Sequence, residues 1–176
     1  HNFHSNNSPN NKKMIKKTIM EKKRERALFI ILFFISIIFS NLGIPGIENS
    51  NIMPNYFLAL IISCLLNKNS FLNLYNLVIF GLIVDILCGQ LLGQYGFLFI
   101  SIYFVYFIIQ KITTISNSKQ LLFLGFCLSI FSFIALWATS LSHKIFIPFN
   151  LLFLQFVLTF ITYLIFNIFI TRFTKN

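Results

Sequence analysis

Few residues in this chain have the chemistry to act. Beyond residue 26 only two carboxylates remain, Glu48 and Asp85. Asp85 interrupts an otherwise apolar run, where an ionised side chain is costly unless protein groups or water receive it. Gly81, Asp85, Gly89 and Gly93 follow one another at intervals of four, a spacing that keeps them along one face of a helix. Glycines on such a face let a neighbouring helix come close beside the carboxylate. Gly93, with Gly96, is also suited to shape a turn. Upstream, Pro54 and Asn55 stand at the start of another apolar run. Proline suits a first helical turn, and a helix start is electropositive and favours a nearby anion. Asp85 is therefore expected to dock near the amino end of the helix beginning at Pro54, with Asn55 within hydrogen-bond reach. Pro54, Asn55, Gly81, Asp85, Gly89 and Gly93 make up the candidate structural or partner-binding site.

Nothing else in the sequence adds a reactive group to that set. There are no paired carboxylates, no Ser/His/Asp constellation and no glycine loop of the phosphate-cradling kind. His143 has no second His, Cys or carboxylate beside it, and Cys64, Cys88 and Cys127 fall in three separate apolar stretches without CxxC spacing. No catalytic, cofactor or metal site is expected, and the protein is read as a non-enzyme.

The elements that must position Asp85 follow from the composition. The chain has 176 residues, of which 57% are hydrophobic and only 10% charged. A soluble domain carries about a quarter charged residues, and here 10 of the 18 charges precede Ala27. That excludes a soluble enzyme. It also makes the net charge of +10 a poor argument for nucleic acid, because the charge belongs to a short arm on an apolar body. Residues 1–26 are read as a disordered basic cytoplasmic arm whose partner is the membrane surface, and residues 27–176 as a single membrane domain. With no small-residue cleavage site after the first apolar run, that run is read as a retained helix rather than a signal peptide.

Six apolar runs follow, over 27–42, 53–66, 71–88, 97–115, 120–141 and 145–171. The second would be only about 20 Å long as a helix, short of a hydrocarbon core of about 30 Å. It must thin the bilayer or be re-entrant unless loop charges say otherwise. If all six cross, 13 Lys and Arg residues fall inside and Lys144 alone outside; if the second does not cross, the division is 9 against 5. Lys and Arg accumulate on the cytoplasmic side of short loops, so the expected fold is an all-α bundle of six transmembrane helices, the second short, with both termini cytoplasmic. On this topology the loops near Glu48, Gln90 and His143 are outside. Asp85 lies about 21 Å along its helix from Phe71, in the outer third of the core. Gly125, Ser129, Ser132 and Ala135, then Gln155, Thr159 and Thr162, and Tyr103, Tyr106 and Gln110 read as helix-packing faces, while Trp137 suits an interfacial belt.

The stretch Met53-Pro54-Asn55-Tyr56, a short inner turn, and then Gly81-Leu-Ile-Val-Asp85-Ile-Leu-Cys-Gly89-Gln-Leu-Leu-Gly93 resembles the bacterial rod shape-determining MreD family in order, spacing and chain size. The motif covers residues 53–97; the flanking helices agree in number and length. The resemblance implies a multi-pass inner-membrane scaffold of the cell-elongation machinery, supporting MreC and, through the complex, MreB, RodA and a class B transpeptidase that build lateral peptidoglycan. It implies no catalytic activity. The long basic arm departs from the family pattern. A fold-level likeness to the substrate-binding subunits of energy-coupling-factor vitamin transporters supplies the alternative. Those subunits dock through small residues such as AxxxA in the first helix, and here that helix reads Ala27-Leu-Phe-Ile-Ile-Leu-Phe-Phe, with no second small residue at that spacing.

Overall fold

A computed structural model describes residues 9–42, 54–69, 71–87, 92–112, 118–142 and 149–175. The described residues form six helices and no strand: α1 (Pro9–Leu42), α2 (Tyr56–Leu66), α3 (Leu74–Leu87), α4 (Gln94–Ile112), α5 (Ser118–Ser142) and α6 (Phe149–Lys175). By length and composition, α4 and the Leu152–Thr174 part of α6 are able to cross a membrane; Tyr56–Leu66, Leu74–Leu87 and Gln120–Ala135 are shorter apolar helical stretches.

The short second helix turns out to be the centre of the molecule. All residues from Phe57 to Leu66 are buried, and α2 packs against α1, α4, α5 and α6. Large apolar side chains exposed at the periphery come from α1, α3, α4, α5 and α6, including Phe34, Ile38, Ile86, Phe97, Ile108, Phe123, Ile134 and Ile168, and none from α2. An apolar exterior around an apolar centre is the distribution a lipid environment requires and water penalises. With only about 16 Å of helical length, α2 is enclosed by protein rather than left at the periphery. Irregular backbone at membrane depth is tolerated where protein supplies its hydrogen bonds.

Both ends of α2 show how this is done. At its start Asn55 is the N-cap, its side-chain oxygen accepting from the Leu58 N–H. Pro54 therefore precedes the cap rather than opening the first turn. At its end Lys68 adopts φ 53°, and the Asn69 and Lys68 amides donate back to the Cys64 and Leu65 carbonyls, a Schellman closure with lysine where glycine is usual. Between the ends, Asn55, Ala59, Ser63 and Asn67 recur every fourth residue opposite Thr159, Tyr163, Asn167 and Thr171 of α6. The Asn55 amide donates to Thr159 Oγ1, Ser63 Oγ to the Tyr163 carbonyl and Asn67 Nδ2 to Asn167 Oδ1, while Thr171 Oγ1 donates to Asn67 Oδ1. Ascending numbers pair with ascending numbers, so α2 and α6 run parallel along a small and polar seam.

A disordered tail was expected over residues 1–26; residues 9–26 are helical and continuous with the apolar part of α1, and residues 1–8 lie outside the described residues. Lys, Arg and Glu are good helix formers, and the folded apolar helix removes the nucleation cost that would keep such a segment open alone. Its base is held by the bundle. Arg24 donates to the Thr174 carbonyl, Asn69 donates to the Glu25 carbonyl and the Arg26 guanidinium lies 5.6 Å from the centre of the Phe71 ring. The Arg24 region of α1, the α2–α3 connection and the last turn of α6 thus share one end of the bundle. Above them, rings of Phe29, Phe33, Phe57, Phe71 and Phe80 interlock α1, α2 and α3.

Candidate functional site at the Asp85 end

At the opposite end of the bundle, α3 and α4 form an antiparallel hairpin whose closeness is set by glycine. A Cβ built at Gly81 would overlap the Cα and amide nitrogen of Gly96, with the Tyr95 carbonyl carbon 3.0 Å away. The obstructing atoms are backbone, so the two helices touch main chain to main chain. Gly93, with φ 93° and nothing near its missing Cβ, makes the turn that starts α4. Gly96, expected to share that turn, instead lies within α4 as the partner surface for Gly81.

This proximity brings the first turn of α4 over Asp85. The side chain is 0% exposed. Its Oδ2 accepts from the Gly93 N–H at 2.8 Å and its Oδ1 from the Tyr95 N–H at 2.9 Å. Helix starts leave backbone donors without partners, and a carboxylate there meets both those donors and the positive end of the helix dipole. Asp85 is thus a cap supplied by the preceding helix. The expected docking on the start of α2 is corrected: the carboxylate serves α4. The physical reason is local. A tight hairpin delivers the α4 donors eight and ten residues beyond Asp85, whereas the first turn of α2 is already served by the Asn55 side chain and by Thr159.

Asn55 nevertheless belongs to the same network, through Tyr95. The Asn55 Nδ2 donates to the Tyr95 hydroxyl at 2.8 Å, the Tyr95 ring packs edge-on against Phe57 and Phe99, and the Tyr95 amide binds Asp85. Thr159, Asn55, Tyr95 and Asp85 therefore link α6, α2, α4 and α3 in series. Thr159 is itself tied to its own helix through the Gln155 carbonyl. Among the described residues no buried side-chain nitrogen or oxygen lacks a partner, as a dry interior demands. Both oxygens of the one carboxylate here accept from backbone donors, so the arrangement clamps four helices together.

A family model described as rod shape-determining protein MreD matches residues 20–173. The chain belongs to the MreD family. The match runs through all six helices and takes in the Asp85 network. No curated protein and no solved structure matches the chain.

Of the site residues expected from sequence, Pro54, Asn55, Gly81, Asp85 and Gly93 gather at this end of the MreD-family bundle, while Gly89 lies outside the described residues. Tyr95 was missed, and Gly96 was assigned to the turn rather than to the contact with Gly81. Asn67, Asn167 and Thr171 were also missed, although Asn167 and Thr171 continue the fourfold spacing already visible at Gln155 and Thr159. Of the other packing faces, Ser129 and Ser132 are buried and bonded to carbonyls of their own helix. Gly125 makes room for the buried Tyr163 ring. On α4, Gln110 donates to the Tyr106 hydroxyl. Cys64 and Cys127 are free thiols, and Cys88, Glu48, Gln90 and His143 lie outside the described residues.

Proposed function

We propose that this protein is a non-enzymatic scaffold of the cell-elongation machinery, a multi-pass inner-membrane protein whose six helices all cross with both termini in the cytoplasm. In this role it supports MreC and, through the assembled complex, MreB, RodA and a class B transpeptidase, and so lateral peptidoglycan synthesis and rod shape. The observation that carries the reading is the family match over residues 20–173. The scaffold role is supported by Asp85, whose carboxylate is used up in holding helices together. The topology is supported by the parallel course of α2 and α6, which an alternating path through α3, α4 and α5 produces. It is supported further by the meeting of Arg24 with Thr174 at one end and by the division of Lys and Arg that places this end inside. Because Gly81 and Asp85 are internal, the surface that receives MreC lies on another part of the bundle.

Two measurements test this. Tagged protein recovered from membranes should bring MreC with it, and cells depleted of the protein should lose rod shape. Normal membrane abundance with no MreC recovered would refute the scaffold reading. A reporter active only in the periplasm should stay silent when fused after Asn176; activity there would overturn the six-crossing topology.

A further inference from the structure

Helices α5 and α6 close on each other at one end and part towards the other. They run antiparallel, with the Tyr163 ring seated at Gly125 and with Phe126 and Phe133 edge-on to Phe160 and Phe156. Beyond the Gly125 contact, towards the end of α5 that carries Trp137, a cleft of about 520 Å³ opens between the two helices. Phe126, Ile130, Phe133 and Trp137 line it from α5, and Phe153 and Phe156 from α6. Every lining side chain is aliphatic or aromatic, so a polar ligand would enter with its hydrogen bonds unmet. The rings also hold the cleft in shape: Phe156 stands edge-on to both Phe126 and Phe133, with centroids 5.9 and 5.3 Å away. Rings braced in this way have little freedom to collapse into the gap. Phe153 and Trp137 remain exposed at the rim, so the cleft opens sideways, away from the bundle.

Its dimensions select the occupant. From Phe126 to Trp137 the cleft runs about 16 Å along α5, against about 15 Å for one leaflet, half of the hydrocarbon core. Spread over that length, 520 Å³ gives a mean cross-section of about 33 Å². A helix about 10 Å across with its side chains needs about 80 Å², so neither a partner's transmembrane helix nor one from a second copy fits inside. A hydrocarbon chain, a single file of methylenes, does. We propose that this cleft is a binding site for one acyl chain of a membrane lipid, seated along α5 and α6 with its glycerol end beside Trp137. The inference rests on the membrane reading proposed above, which puts Trp137 at the outer interface, where indole rings settle, and the chain in the outer leaflet. Because surrounding lipid tails are as apolar as the cleft, fit rather than hydrophobicity holds the chain there.

Trp137 is the single tryptophan of the sequence, so the site carries its own reporter. The full chain in detergent micelles is titrated with phosphatidylcholine whose acyl chains carry bromine, a contact quencher of indole fluorescence. Quenching should saturate at a single lipid per chain. Ile130→Phe combined with Ile134→Phe adds bulk at two exposed lining positions, and should raise the half-saturating lipid concentration about tenfold or more, as overpacking a fitted site does. Ile108→Phe, at an exposed position on α4, should leave it unchanged. Quenching that follows the lipid content of the micelle without saturating, or that saturates equally in the filled variant, would overturn the proposal and leave the membrane reading standing. Trp137 beyond reach of the brominated chains, in protein that sediments as a dimer, would give the cleft to a second copy and overturn it too. A chain that stays in solution without detergent would refute the membrane reading and this inference with it.

Discussion

Replacing Gly81 by alanine should damage this protein far more than the same change at Gly96, although the two glycines face each other. A Cβ at Gly81 collides with the Gly96 backbone, whereas a Cβ at Gly96 finds only the Val78 carbonyl oxygen, at an ordinary contact distance of 4.0 Å. Overpacking costs about 1–3 kcal/mol, with the upper end expected because neither backbone is free to step aside. Prising α4 away also lengthens the Asp85 bonds to Gly93 and Tyr95, and a charged hydrogen bond contributes about 1.5–3 kcal/mol. Against this, alanine gains up to about 1 kcal/mol of helix propensity over glycine. Gly81→Ala should therefore lose about 2–4 kcal/mol, from the overpacking and hydrogen-bond terms less the propensity gain. Gly96→Ala, with the propensity gain and no collision, should be neutral or slightly stabilising. Reversible unfolding in mixed micelles, followed by circular dichroism across a detergent titration, reads both. Equal losses at the two positions, or a Gly81→Ala protein as stable as its parent, would refute the main-chain contact. In cells the larger Gly81→Leu change should remove the protein from the membrane along with MreC recovery.

Other changes probe the rest of the framework. Asp85→Asn leaves one backbone donor at the start of α4 facing an amide nitrogen, and should cost about 1.5–3 kcal/mol with faster hydrogen exchange at Gly93 and Tyr95; unaltered exchange would show that the cap is dispensable. Gly125→Ala should destabilise by about 1–3 kcal/mol through the buried Tyr163 ring, and combining it with Tyr163→Leu should cost less than the two single changes added together. Strict additivity would place the ring elsewhere. A double-mutant cycle of Asn67→Ala and Asn167→Ala should yield a coupling of about 0.5–1.5 kcal/mol, measured by the same unfolding titration, and no coupling would remove this end of the α2–α6 seam.

Run lengths and charge were enough to read six apolar helices, because hydrophobic composition and Lys/Arg placement answer to the solvent on either side of each segment and need no knowledge of neighbours. Asp85 and Gly81 stood out for the same reason: a carboxylate in an apolar run and a glycine in a helix are each unfavourable alone and must be compensated somewhere. Where that compensation lies is a pairing question, which one-dimensional spacing leaves open. Only the packed structure decides that α4 rather than α2 receives the carboxylate, since the choice depends on which helix start still has donors to offer once Asn55 and Thr159 have served α2. It also decides that the shortest helix is the central one. A length of 11 residues looks inadequate when bilayer thickness is the measure, and becomes sufficient when the surrounding helices, rather than lipid, are what the helix must match. Apolar residues were enough to show that every helix leaves water; contact with its neighbours determines what takes water's place.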